Sequence, residues 1–121
     1  MIFLGYENEL KQVFLNILNN AKDAILKQIE DGKIDFHGEI EIVIDQKDNK
    51  IVIEMYDNGG GIPEEIMDRI FEPYFTTKEK CKGTGIGLYM SKIIVEEHLC
   101  GRLSVQNTKT GSMFKIELEA C

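Results

Sequence analysis

Residues 57–63 read Asp57-Asn58-Gly59-Gly60-Gly61-Ile62-Pro63, a carboxylate followed at once by three glycines. Further on, Gly83-Thr84-Gly85-Ile86-Gly87 forms a second glycine cluster. Between the two stands Phe71-Glu72-Pro73-Tyr74-Phe75-Thr76-Thr77-Lys78, continuing through Lys80 and Lys82. Glycine permits positive φ and lets a ligand approach the bare backbone. Consecutive backbone N–H groups in such loops make anion-binding concavities, and a helix beginning just after one adds its positive dipole end. Together these residue types describe a nucleotide site with a carboxylate at one end and an amide-rich phosphate cradle at the other.

Asp57 ends a stretch in which Ile51, Ile53 and Met55 alternate, so it shares their face and points toward the core. A carboxylate in that position needs hydrogen-bond donors to offset its desolvation. Two readings are open for it. One is an Asx turn capping the Asp57-Asn58-Gly59 bend; the other is an acceptor for an exocyclic amine such as that of adenine, favoured by the glycines that follow. Asn16 and Asn20 lie four apart on a helical stretch, one turn above each other. Asn is a poor helix former, so two of them stacked beside the core edge point to a task for their amides, set against plain solvation.

The elements that position these residues can be read from periodicity. Leu10, Val13, Phe14, Ile17, Leu18, Ala21, Ala24 and Ile25 form one apolar stripe and predict a helix over 8–29, with Asn8 as N-cap. Residues 30–38 read as a polar loop, in which His37 has no assigned role. Residues 39–57 read as a hairpin turning within Asp45–Lys50, with Ile40, Ile42 and Ile44 alternating on its first strand. Pro63 suits the first position of a helix with Glu64 and Glu65 in its first turn; Ile66, Ile70 and Phe71 give it an apolar side, and it stops before Pro73. Residues 72–86 carry no hydrophobic period and read as a lid, locally basic in an acidic chain and anchored by Phe71 and Phe75, which otherwise serve core packing. A second long helix is expected over 86–99, ended by Gly101, with His98 compensating its C-terminal dipole. A last hairpin spans 102–119 and turns at Asn107–Gly111. The order implies an α+β, two-layer α/β sandwich: a mixed β-sheet covered on one face by three helices, with the pocket between the layers.

The 121 residues suit one domain. With 43% hydrophobic and 29% charged residues the chain is globular rather than disordered. A net charge of −7 argues against a nucleic-acid surface. There is no apolar run long enough to span a bilayer and no signal-peptide pattern at the N-terminus. Cys81, Cys100 and Cys121 are odd in number and widely spaced, which fits reduced cytosolic thiols better than a disulfide framework.

Four blocks then line up in order. Residues 9–24 (Glu-Leu-Lys-Gln-Val-Phe-Leu-Asn-Ile-Leu-Asn-Asn-Ala-Lys-Asp-Ala) resemble the N box of histidine-kinase ATP-binding domains. Asp57–Pro63 resembles the first glycine box, Ile70–Lys78 the F box, and Gly83–Leu88 the second glycine box; Gly111-Ser112 before Phe114 is similar to the last short motif. The resemblance runs from about residue 4 to the C-terminus and is to the Bergerat-fold ATPases, in their two-component sensor histidine-kinase branch. It implies the following roles. Asn20, with Asn16 beside it, coordinates Mg²⁺. Asp57 accepts from the adenine amine, Gly59 and Gly61 let the backbone pass close to the base, and Ile62 packs on the ring. Lys78 and Thr84, with the amides of Gly83, Gly85 and Gly87, hold the phosphates under the lid, and Phe75, Thr76, Ile86 and Leu88 complete the cofactor-binding set. Ser112 joins the polar network around Asp57. Asn16, Asn20 and Lys78 form the catalytic set, and ATP and Mg²⁺ are the expected ligands.

Two departures refine that expectation. Hydrolytic relatives carry a glutamate where this chain has Asn16, and an amide cannot act as general base; phosphoryl transfer to a histidine is therefore favoured over hydrolysis. Neither His37 nor His98 stands in a phosphoacceptor context, and the helix and first strand expected upstream of the N box are missing. The chain is thus expected to be an N-terminally truncated catalytic domain, residues 1–121, without its phosphoacceptor helical domain and inactive in autophosphorylation alone. Its expected partners are that helical domain and a response regulator, with a homodimer through an exposed sheet edge as a further option. Its expected location is the cytoplasm, within a parent that can be membrane-anchored. The alternatives in the same fold are an ATP-gated clamp or chaperone module and an anti-sigma-type serine kinase.

Overall fold

A computed structural model describes residues 7–32, 36–73 and 87–119. Helix α1 (Glu7–Glu30) buries Val13, Ile17 and Ala21, the centre of the stripe read from the sequence. It starts at Glu7, so Asn8 lies inside its first turn and is not the N-cap. The acidic Glu7 and Glu9 at this end complement the helix dipole.

Strands β1 (Ile40–Lys47) and β2 (Lys50–Asp57) form the first hairpin, and β3 (Gly101–Asn107) and β4 (Ser112–Glu119) the last. The first turn is tighter than the expected Asp45–Lys50 region, because the strands stay paired as far as Lys47 and Lys50. The sheet order is β1-β2-β4-β3, and every pair is antiparallel among the described strands. The expected mixed sheet is corrected accordingly: both neighbour pairs in sequence are hairpins, and β2 meets β4 antiparallel across the middle. Ile40, Asp57, Ser112 and Asn107 stand in one row across all four strands.

Pro63 is the N-cap of a short helix α2 (Glu64–Met67) rather than its first residue. The helix gives way to turns before Ile70, which is buried. Phe71 packs edge-on against Phe114, ring centroids 6.4 Å apart, with the Lys92 ammonium 4.8 Å from its ring. Core packing therefore accounts for Phe71; Phe75 lies outside the described residues.

Helix α3 (Gly87–Ile93) widens into a π turn over Ile94–His98, closed by Leu99 N–H donating to the Ile94 carbonyl at 3.1 Å. Ile94, Val95 and Leu99 face the core. The left-handed residue after the helix is Cys100, φ 56°, while Gly101 already belongs to β3, which shifts the expected glycine stop by one residue. Cys100 is disulfide-bonded, against the expectation of free thiols; wide spacing in sequence does not measure distance in space. His98 pairs through Nδ1 with Glu9 at 2.6 Å, tying the end of α3 to the start of α1.

Val13, Ile17, Ile53, Met55, Leu103, Phe114, Ile116 and Leu118 interlock between the sheet and the helical layer. That layer stops short of β1. Ile42 and Ile44 share the helix-facing side with Met55 and Ile53, their cross-strand partners, yet stay 47% and 65% exposed against 3% and 4%.

Candidate functional site

The central pairing of β2 with β4 brings Asp57 opposite Ser112. As strand parity required, the Asp57 side chain turns inward and is only 6% exposed. Its Oδ1 accepts from Gly59 N–H at 2.8 Å, and its Oδ2 accepts from the Ser112 hydroxyl at 2.8 Å. The Asx turn is thus present, and a second donor from another strand fixes the remaining oxygen. An ionised carboxylate has about four lone-pair sites, so both oxygens retain capacity for a further donor. Gly111 permits this arrangement, since a Cβ there would overlap the Asp57 carbonyl.

The loop after Asp57 is fastened from three directions. Gln28 of α1 donates its amide to Gly59 O at 3.1 Å. Gly59 itself lies so close to α1 that a Cβ would meet the Ala24 methyl at 2.6 Å. The β3–β4 turn contributes Thr110, whose carbonyl accepts from Gly60 N–H at 3.1 Å. It also contributes Asn107, whose amide both accepts from Ile62 N–H at 2.8 Å and donates to Ile62 O at 2.7 Å. On the third side, Asn58 accepts from Glu39 N–H and donates to the His37 carbonyl, at 2.8 and 2.7 Å. His37 thus takes part through its backbone.

Asn16 and Asn20 sit on one flank of α1, as their spacing required, but their surroundings differ. The Asn16 amide nitrogen donates to Gly87 O at 3.1 Å and to the Ser91 hydroxyl at 3.0 Å, and its oxygen accepts from Gln12 at 2.9 Å. Ser91 is fully buried. Asn16 therefore pins α1 to the first turn of α3. With the Glu9–His98 pair seven residues away on each helix, it sets the two helices antiparallel. Asn20 is half-buried, and its side chain makes no hydrogen bond among the described residues. Gly87 and Leu88 open α3 beside Asn16, Leu88 leaning on the core. Phe75, Thr76, Lys78, Gly83, Thr84, Gly85 and Ile86 lie outside the described residues.

Gln28, Asn107, Thr110 and Ser91 were not singled out by sequence. Gln28 continues the α1 stripe after Ala21 and Ala24, which was a usable signal; Asn107 and Thr110 read only as turn residues. Among the described residues no group of three or more His, Cys, Asp or Glu converges as a metal site, and none of the helices is long and apolar enough to cross a membrane.

An inward acid beside a glycine loop, with an asparagine-bearing helix alongside, is the arrangement that the sequence motifs led one to expect. The family model of histidine kinase-, DNA gyrase B- and HSP90-like ATPases matches residues 5–120, and the chain belongs to this family. Within it, the chain is a catalytic domain of the sensor histidine-kinase kind. It is 37% identical over 118 residues to the two-component sensor PprA of Pseudomonas aeruginosa, an alignment covering 98% of this chain and 12% of that protein. It resembles the nucleotide-free catalytic domain of histidine kinase ThkA with a TM-score of 0.76 and 32% identity, covering 93% of this chain and 67% of the other. A histidine kinase ThkA structure in complex with the response regulator TrrA matches with a TM-score of 0.69 and 28% identity, over 94% of this chain and 29% of that one. The chain therefore spans only a small part of the full-length sensor kinase it matches.

Proposed function

We propose that this domain binds Mg-ATP and delivers the γ-phosphoryl group to a histidine on a separate helical domain, from which it passes to a response regulator. The observation that carries the proposal is the buried Asp57 carboxylate, held by Ser112 and Gly59 at the mouth of the glycine loop. Such an acid, acceptor-only and fixed, suits the donor amine of adenine. Gly59, Gly61 and Ile62 would border the base, and Lys78, Thr84 and the amides of Gly83, Gly85 and Gly87 would take the phosphates. Asn20, with its amide unengaged, fits an oxygen ligand for Mg²⁺, which keeps several waters and is bound largely through substrate phosphates. Bound Mg²⁺ would neutralise phosphate charge. Asn16, whose amide is committed to α3 and Gln12, would act by holding α3 in place. Transfer of this type depends mainly on positioning and charge stabilisation. The location follows the substrate: the cytoplasm, where ATP is supplied, in a parent that can carry a membrane anchor. Kinship with sensor kinases favours this reading over a clamp, a chaperone or a serine kinase. Labelled ATP offered with a histidine-bearing helical hairpin and with a serine-bearing protein separates the kinase readings by which substrate is phosphorylated.

Asp57→Asn presents a donor where an acceptor is needed. It should weaken ATP about 10–100-fold, the loss of a charge-assisted hydrogen bond; unchanged affinity by calorimetry would remove Asp57 from the site. Asn20→Ala should reduce the Mg²⁺-dependent part of ATP affinity and leave the Mg²⁺-independent part alone. A surviving Mg²⁺ dependence would refute the ligand assignment.

Self-association is the remaining element of the proposal. Strand β1, outermost among the described strands, carries exposed Ile40, Ile42 and Ile44. An antiparallel second copy centred on Ile44 would set Glu41 opposite Lys47. A monomer by light scattering at high concentration would rule this out.

A further inference from the structure

Asn107 is the one side chain on the β3–β4 turn that grips both backbone polar groups of a residue in the glycine loop. Its Oδ1 accepts from Ile62 N–H at 2.8 Å and its Nδ2 donates to Ile62 O at 2.7 Å. The carboxamide thus imitates a strand pairing, with a side chain in place of the partner backbone. The two residues before Ile62 give this grip its importance. Gly60 and Gly61 have φ of 98° and 80°, in the region glycine enters at little cost, so the chain ahead of Ile62 has little stiffness of its own. Gly61 also leaves room for the carboxamide, since a Cβ there would stand 3.1 Å from Asn107 Oδ1. Asn107 ends β3 opposite Ser112, and Ser112 donates to Asp57. One pair of adjacent strands therefore holds the acid through Ser112 and Ile62 through Asn107. Asn107 is exposed and outside the apolar core, so its grip is a local fastening rather than a prop of the whole fold.

We propose that Asn107 is a positioning residue that fixes Ile62 at a set offset from Asp57, and that this offset determines how strictly the site discriminates adenine from guanine. The inference rests on the reading of Asp57 and Ile62 as the base pocket. An acceptor at Asp57 rewards the amine of adenine and rejects the carbonyl of guanine only while the ring is held in one plane and at one depth. With Ile62 released, the ring can shift, and both the affinity for adenine and the penalty on guanine fall.

The test uses the full chain and Asn107→Ala, with Asn107→Asp as the second variant. Asp keeps an acceptor for Ile62 N–H but turns an acceptor toward Ile62 O, so it should not restore the grip. Amide hydrogen exchange without nucleotide should show Ile62 N–H opening about tenfold faster or more in both variants, with the midpoint of thermal unfolding lowered by only about 5 °C; two net hydrogen bonds carry that much. ATP binding should weaken about tenfold, and the ATP-to-GTP affinity ratio should shrink. Unchanged Ile62 protection overturns the grip itself, whatever ligand the site takes. Faster exchange with unchanged ATP affinity and unchanged ATP-to-GTP ratio overturns the positioning role. Failure of the unsubstituted chain to discriminate ATP from GTP overturns the discrimination claim together with the base-pocket reading, whereas the exchange result then stands or falls alone.

Discussion

Ile53 and Ile44 face one another across β1 and β2 on the same side of the sheet, yet one is 4% exposed and the other 65%. The residue type, strand alternation and cross-strand pairing are the same; only the cover differs. Helices α1 and α3 pack together over β2, β3 and β4, and their apolar faces end before β1. A strand's alternation shows that it has an apolar side. The width of the layer above decides whether that side leaves water, and with it most of the roughly 25 cal/mol per Å² that burial contributes.

The contrast makes its strongest demand on stability. Ile53→Ala should destabilise the domain by about 2–4 kcal/mol, since it removes buried methylenes and leaves a cavity. Ile44→Ala, the same chemistry one strand away, should cost under about 0.5 kcal/mol. Urea unfolding of the two variants settles it, and equal losses would mean that β1 is covered in solution. A step smaller is Ser112→Ala, in the row that joins Ile40, Asp57, Ser112 and Asn107. It leaves a buried carboxylate oxygen without its donor and should cost about 1–3 kcal/mol, together with a loss of ATP affinity. Ile40→Thr, at the exposed end of that row, should change neither.

A pH-dependent effect lies at the other end of the sheet. Lys50 Nζ stands 2.9 Å from Glu117 Oε2, and its hydrogen bond holds the Glu117 carboxyl below the ordinary carboxylate range. A depressed carboxyl contributes stability that is present above its unfolded pKa and lost as pH falls through the folded one. The pair should therefore stabilise the domain at neutral pH and fade below the usual carboxylate range. Glu117→Gln should flatten that acid limb by no more than about 1 kcal/mol, given how exposed the pair is. Stability curves recorded against pH for both proteins would check the direction.

Much of this was legible beforehand. The α1 stripe, both hairpins and the inward direction of Asp57 all follow from local periods of 3.6 and 2, which the backbone imposes residue by residue. The errors fall where a neighbour in space overrides a local signal. Asn8 looked like a cap, but the helix starts before it. Residues 64–71 have an apolar side, yet the helix stops at Met67 and Phe71 is drawn onto Phe114 instead. Asn16 and Asn20 looked equivalent one turn apart, until α3 claimed the first and left the second.

By itself the sequence determined the order of elements, the parity of each strand and the residue types gathered around the glycine clusters, because these depend on short-range backbone geometry. Tertiary structure alone decided which apolar face is covered, which asparagine remains unengaged, and that Gln28, Asn107 and Thr110 converge on one loop. Those outcomes depend on strand register and on packing between segments far apart in the chain. A shift of one residue in the pairing of β2 with β4 would part Ser112 from Asp57 without altering a single local preference.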